Sequence, residues 1–365
     1  MTIEPPRGWR GPGPSGSSDV PDGPRESGTA PVAALALDVG GSAIKSGVVL
    51  AGGALWGAPE RDEIDSQAPA PTVLARFAQV LARLRERAVS HAVVGIGVAM
   101  PGPFDYERGV SRMRGLGKFD RIYGLSLAEE LATRVPGIAN LHWRWINDAS
   151  AFALGELRYG AARGVPRVMF LTLGTGCGSA FAVDGKLVAS GPGVPPDGYV
   201  YTLEHRGRRI DELLSQRGVM RIWRDLATVS GEGRLAGRAS ASAGGGEAHS
   251  AGHAFVPDGG REPQAGSRAE PVDAETVAAL AQTGNERAKE TYRRFGELLA
   301  TALAPVTTAF RPDLVVLGGQ ISRSFDLFTD AAREAGAPPL TVADELESAA
   351  LKGAASLVLE EPGPS

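Results

Sequence analysis

The sequence predicts an α/β protein, and three observations carry that prediction. Apolar strand-like runs alternate with stretches of helical apolar spacing. Three glycine turns each follow an apolar run directly. Gly (49) and Pro (26) make up about a fifth of the 365 residues, against an average of roughly 12%, so glycine-rich loops, disordered segments or both are present. A chain of 365 residues is long enough for two domains, since one usually holds about 100–200 residues.

In chain order, residues 32–39 read as a strand in which Ala34-Leu35-Ala36-Leu37 runs into Gly40-Gly41. Residues 45–50 and 54–58, around Gly52-Gly53, read as a hairpin. Apolar residues at 73, 74, 77, 80, 81 and 84 predict a helix over 72–89. Residues 93–98 form a buried strand. Residues 125–134 form a helix with Ser126 as its N-cap. A strand ends over 144–147 and a helix follows over 149–159. Strands are predicted at 168–172 and 178–183, then helices at 273–283 and 286–310. A strand at 314–317 ends at Gly318-Gly319, and helices over 324–335 and 349–358 complete the chain.

Two segments fall outside this pattern. Residues 1–31 hold seven Pro and six Gly, and residues 230–271 hold ten Gly and three Pro. Neither has enough apolar surface to offset its ordering entropy, so both are expected to be disordered, the second as an insertion into a folded lobe. The lobes are expected at 32–147 and 148–358.

Composition excludes several classes. A net charge of −4 lacks the basic footprint of a nucleic-acid protein. No apolar run approaches the roughly 18 residues of a membrane span, and the first 31 residues have no signal-peptide core; a cytoplasmic protein is expected. One cysteine rules out an intramolecular disulfide or a multi-cysteine metal site within the chain.

The three turns are Asp38-Val39-Gly40-Gly41-Ser42, with Lys45 following; Gly174-Thr175-Gly176-Cys177-Gly178-Ser179; and Gly318-Gly319-Gln320-Ile321-Ser322. Glycine allows backbone N–H groups to converge on an anion, although a glycine after a strand is also an ordinary turn. Ser42, Thr175 and Ser179 add hydroxyl donors. Asp38 cannot bind phosphate itself, but it can hold a hydrated Mg²⁺ that bridges phosphate oxygens. Lys45 reads either as a solvated strand residue or as a charge near those phosphates. None of the turns has P-loop spacing.

In this order the loops resemble the phosphate-1, phosphate-2 and adenosine motifs of the sugar kinase, actin and heat-shock ATPase superfamily. Within it the chain resembles the ROK family (repressors, open reading frames and kinases). Gly95-Ile96-Gly97-Val98-Ala99-Met100-Pro101-Gly102-Pro103-Phe104-Asp105 and Asn147-Asp148-Ala149 with Gly155-Glu156 extend the match. The resemblance implies two actin-like (ribonuclease H-like) lobes around a cleft, ATP with Mg²⁺, and a homodimer. It implies nucleotide binding at Asp38, Gly40, Gly41, Ser42, Lys45, Gly174, Thr175, Gly176, Gly178, Gly318, Gly319 and Gln320. Asp148 is the implied catalytic base and Asn147 touches the sugar. Read from the residues alone, this pair is equally a helix N-cap. Gly102 and Asp105 line the sugar side, unless Asp105 only makes a turn. Glu156 is structural, Cys177 is packed, and His249 and His253 are solvated.

The family pattern breaks after residue 191. The family's Gly-Glu-x-Gly-His and three-cysteine zinc cluster would fall there, but Glu204 and His205 are adjacent and no Cys follows. No structural zinc is expected. Neighbours on a strand face opposite ways, so Glu204 and His205 are weak substitutes for the family's sugar contacts. The basic stretch Arg112-Met113-Arg114-Gly115-Leu116-Gly117-Lys118 would suit an acidic acceptor. The implied activity is a glucokinase-like hexose kinase; the alternative is a nucleotide- or sugar-sensing regulator without turnover. The sequence leaves open which sugar is used and whether the donor is ATP or polyphosphate.

Overall fold

A computed structural model of the chain describes residues 30–229 and 273–360. The expected tail, apart from its last two residues, and the 230–271 segment with His249 and His253 lie outside the described residues. No described helix is long and apolar enough to cross a membrane.

Two five-stranded sheets share one strand order. In the first, β1 (Val32–Val39) pairs antiparallel with β2 (Ala43–Leu50), and β2 with β3 (Glu60–Glu63). On the other side β4 (Ala92–Met100) runs parallel to β1. A ribbon of β5 (Phe104–Asp105) and β6 (Val110–Ser111) follows, and β7 (His142–Asn147) then adds in parallel to β4. The second sheet repeats the plan. Antiparallel β8 (Arg167–Leu173), β9 (Cys177–Val183) and β10 (Lys186–Val188) come first, and a short ribbon of β11 (Glu204–His205) and β12 (Arg208–Arg209) follows them. The parallel strands β13 (Leu314–Gly318) and β14 (Leu340–Val342) complete it.

Period-two alternation sorts the first sheet's residues by size. Leu35, Leu37, Ile96 and Val98 face one side and pack on α1 (Ala70–Arg87) and α2 (Leu127–Ala132). The helix α1 buries Val73, Leu74, Phe77, Val80, Leu81 and Leu84, the positions its apolar spacing predicts. The opposite face carries Ala34, Ala36, Gly97 and Ala99. Such small residues admit a helix backbone at close range. That helix is the last in the chain, α9, described below.

Between the sheets runs α3 (Asp148–Tyr159). The second sheet's outer core is built on α4 (Ile210–Leu213), α5 (Gln216–Val229), α6 (Ala274–Gln282), α7 (Glu286–Phe310) and α8 (Thr329–Glu334). The C-terminal α9 (Ala349–Leu359) returns to the small-residue face of the first sheet and packs along α3.

Three local expectations are corrected. The hairpin between 45–50 and 54–58 is reduced to a turn and one bridge, Val49 to Leu55. Gly57 at φ 76° and Pro59, which lacks an N–H, break the run, and β3 takes the pairing instead. Ser126 stands at the N-cap of α2 but its side chain accepts no capping bond. The helix expected at 324–335 is a 3₁₀ stretch, Gln320–Leu327, followed by the shorter α8.

Candidate active site

The parallel strands β1, β4 and β7 end in register: Asp38 lies opposite Ala99, and Met100 opposite Asn147. Ligands in open α/β sheets bind outside such carboxyl ends. Asp38 shares the small-residue face of β1, so it points to the side where α3 and α9 pack. Gly40 donates to the Ala43 carbonyl at 2.8 Å, which closes the first loop tightly.

Burial pushes the Asp38 carboxyl up to about 6; Lys45 opposes this, and the charges of Asp148 and Glu347 add to it. The sign follows. A carboxyl raised from 3.8 to about 6 contributes its full stability below about pH 4 and loses it as pH rises through 6. In nucleotide-free protein, Asp38→Asn should therefore match the native chain near pH 4 and exceed it above pH 7, by on the order of 2 kcal/mol. Urea midpoints at the two pH values check this; an equal offset at both would refute it.

Asp148 opens α3. Its Oδ1 accepts from the Ala149 N–H and from Asn147 Nδ2, both at 2.9 Å. Asn147 is the N-cap proper: its Oδ1 accepts from Ala149 (3.1 Å) and Ser150 (3.2 Å). Capping thus falls to Asn147, and Asp148 Oδ2 is left for other work. The Asn147 amide also donates to the Tyr106 hydroxyl at 3.4 Å, which in turn donates to the Met100 carbonyl at 3.1 Å. Gly102 stands beside this chain; a Cβ there would lie 3.2 Å from the Tyr106 oxygen.

The second and third loops meet α3 from the other sheet. A Cβ on Gly178 would come within 3.0 Å of Ala149 Cβ, and one on Gly318 within 2.6 Å of the Phe152 ring. Gly319 takes φ 82°, and a Cβ there would lie 2.5 Å from the Leu173 carbonyl, where the second loop begins. Within that loop Gly174 donates to Gly176 O at 2.9 Å. Thr175 is exposed at the loop's tip, and Ser42 and Gln320 are exposed at the other two.

Ser179 does not serve as a phosphate donor. Its buried hydroxyl donates to Gly198 O (2.6 Å) and accepts from Val200 N–H (2.9 Å). Lys45 is neither solvated nor free: its Nζ lies 2.7 Å from Glu347 Oε2, and Glu347 also pairs with Arg323 behind the third loop. Asp105 makes a turn, accepting from Arg108 N–H at 3.1 Å and pairing with Arg112 at 3.3 Å. The Arg108 N–H, first, and Arg112 hold its carboxyl below the ordinary range. Glu204 and His205 sit side by side on β11, across from Arg209 and Arg208. Burial raises the Cys177 thiol well above its ordinary range, as suits a packed residue. Glu156 is buried and accepts from Ala161 N–H at 2.9 Å, closing the end of α3.

The ROK family profile matches residues 34–203 and 228–361. The chain belongs to the ROK family. A glucokinase from Thermotoga maritima is 26% identical over 346 residues, covering 90% of this chain and 98% of that protein. An N-acetyl-D-glucosamine kinase from Haemophilus influenzae is 25% identical over 292 residues, 72% of this chain and 80% of that protein. A ROK family glucokinase from Streptomyces griseus, solved with glucose and AMPPNP, superposes with a TM-score of 0.64 at 20% identity. It covers 89% of this chain and 98% of the other. The α/β class expected from the alternation of strands and helices, and the two-sheet fold implied by the family resemblance, are the fold found.

Four residues of this ROK-family chain went unread in the sequence. Burial, first, and the Asp148 charge, among others, raise the phenols of Tyr106, Tyr199 and Tyr201, which places all three within the electrostatic reach of Asp148. Tyr199 and Tyr201 are half-buried, with ring centroids 5.2 Å apart. The fourth, Asp211, accepts from Cys177 N–H inside the second loop. The Tyr-x-Tyr spacing was the available signal, but in a Pro- and Gly-rich stretch it predicts no common face.

Proposed function

We propose that this ROK-family chain is an ATP-dependent carbohydrate kinase that transfers a phosphoryl group to a sugar hydroxyl, with a hexose or N-acetylhexosamine as acceptor. The observation that carries this is Asp148: a half-buried carboxylate at the carboxyl edge of the first sheet, with one oxygen fixed by two donors, on a helix that glycines of the second and third loops pack against. The kinase names of the relatives support the same reading.

In this reading the lobes 32–147 and 148–358 flank the cleft. The second loop's backbone N–H groups cradle phosphates, and Gly318-Gly319-Gln320 receives the adenosine. Asp38 fits a hydrated Mg²⁺: it is a half-buried carboxylate, partly neutralised by Lys45, at the sheet edge where the phosphates would sit. When bound, that ion supplies charge neutralisation across the phosphate oxygens. Asp148 Oδ2 accepts the acceptor hydroxyl's proton as its oxygen attacks the γ-phosphorus, and ADP departs. Asn147 orients Asp148 and reaches the sugar. Tyr106, Tyr199 and Tyr201 line the acceptor side, where amphipathic rings suit a sugar's mixed surface.

A coupled ADP-release assay with Mg·ATP over glucose, N-acetylglucosamine, mannose and N-acetylmannosamine tests this. Release stimulated by one of them is expected. Intact ATP binding with no stimulation by any would point to a sensor instead.

A further inference from the structure

The short ribbon and helix after β10 contribute a carboxylate to a place where a phosphate loop would least be expected to hold one. Asp211 Oδ1 accepts the Cys177 N–H at 3.0 Å, and a Cβ on Gly176 would lie only 2.7 Å from the same oxygen. The carboxylate is neutralised from behind. Arg217 Nη2 lies 2.5 Å from Oδ2 and 3.3 Å from the Asp211 carbonyl, and Arg209 lies 3.9 Å from Oδ2. A few residues on, Gln216 N–H donates to the Gly174 carbonyl at 2.8 Å. The stretch 211–217 therefore grips the second loop at both ends, and the missing side chain of Gly176 leaves room for the Asp211 carboxylate.

We propose that Asp211 is a positioning residue for the nucleotide: through Cys177 it holds the Gly174–Cys177 loop in the form that receives the triphosphate. This rests on the ATP reading above. The loop's backbone would otherwise have to be ordered at the moment of binding, and that entropy would be subtracted from affinity. Two arginines against one carboxylate leave the cluster net positive, so it does not repel the incoming anion. The same cluster meets the acceptor side. Asp211 and Arg209 both act on Tyr201, whose phenol is raised chiefly by burial. Acceptor-side and phosphate-side elements thus share one anchor.

The test uses the full chain, with Mg·ATP titrated calorimetrically and amide exchange followed at Cys177. Asp211→Ala should weaken Mg·ATP binding about tenfold, the worth of a hydrogen bond to a charged group, and speed exchange at that amide. Asp211→Asn keeps an oxygen to accept the N–H and should restore both towards native values. Unchanged ATP affinity in Asp211→Ala would overturn the proposal, as would an Asp211→Asn as weak as the alanine variant. If the native chain bound no Mg·ATP, the kinase reading would fall, and the ATP-positioning role with it. Exchange at Cys177 would then show separately whether Asp211 holds the loop.

Discussion

Asp148→Asn should lose sugar phosphorylation by about 10²–10⁴-fold, the usual worth of a positioned acid–base group, while Mg·ATP affinity and thermal stability stay near native. The geometry makes this substitution unusually clean. Asparagine at 148 retains an oxygen to accept the Ala149 N–H, so the start of α3 keeps that bond. The cap itself belongs to Asn147, which takes the Ala149 and Ser150 N–H groups. What the variant cannot do is accept a proton from the acceptor. Single-turnover kinetics with a stimulating sugar, beside calorimetric ATP titration, separates the roles. Native turnover in Asp148→Asn would remove it from the base position. A large fall in melting temperature would return it to a structural one.

Gly353→Ala should destabilise the fold by about 2 kcal/mol or more, at the upper end of what overpacking usually costs. Helix propensity alone predicts the opposite sign, since alanine is better than glycine inside a helix by about 1 kcal/mol. Tertiary contact reverses it. A Cβ at 353 would lie 1.8 Å from the Ala151 carbonyl oxygen and 2.8 Å from the Gly155 nitrogen. Both are backbone atoms of α3, so no rotamer change relieves the overlap. Gly155 faces α9 in the same way, 2.0 Å from the Ala349 carbonyl. The two helices must separate, and α3 carries Asp148 at its first residue. Urea unfolding gives the stability change, and a gain in stability would show that the helix pair yields more easily than this packing implies. Catalysis measured well below the transition should also fall, because Asp148 moves with α3.

Much of the site was legible because glycine loops are local. Glycine directly after an apolar strand marks a turn through residues that are neighbours in sequence, as at Gly40-Gly41, Gly174-x-Gly176-x-Gly178 and Gly318-Gly319. Of these, Gly319 takes a left-handed φ of 82°. The helix α1 was equally legible, because its buried residues repeat at the helical period. The short strand β14 was missed, since three half-buried residues give no periodic signal. Side-chain partners were out of reach as well. Ser179 looks like any loop hydroxyl until Gly198 and Val200 are seen to take both of its bonds. Lys45 finds Glu347, some three hundred residues away in sequence.

The sequence by itself determined the α/β class, the order of three glycine turns and the Asn-Asp pair at a helix start, because each depends on residues within a few positions of one another. Tertiary structure alone decided the rest. It brought α9 back across the alanine- and glycine-lined face of the first sheet. It joined the Asn147 amide to the Tyr106 hydroxyl of a different segment. It also set Asp211 against the second loop. Those outcomes depend on which distant backbone arrives within about 3 Å, the distance at which hydrogen bonds form.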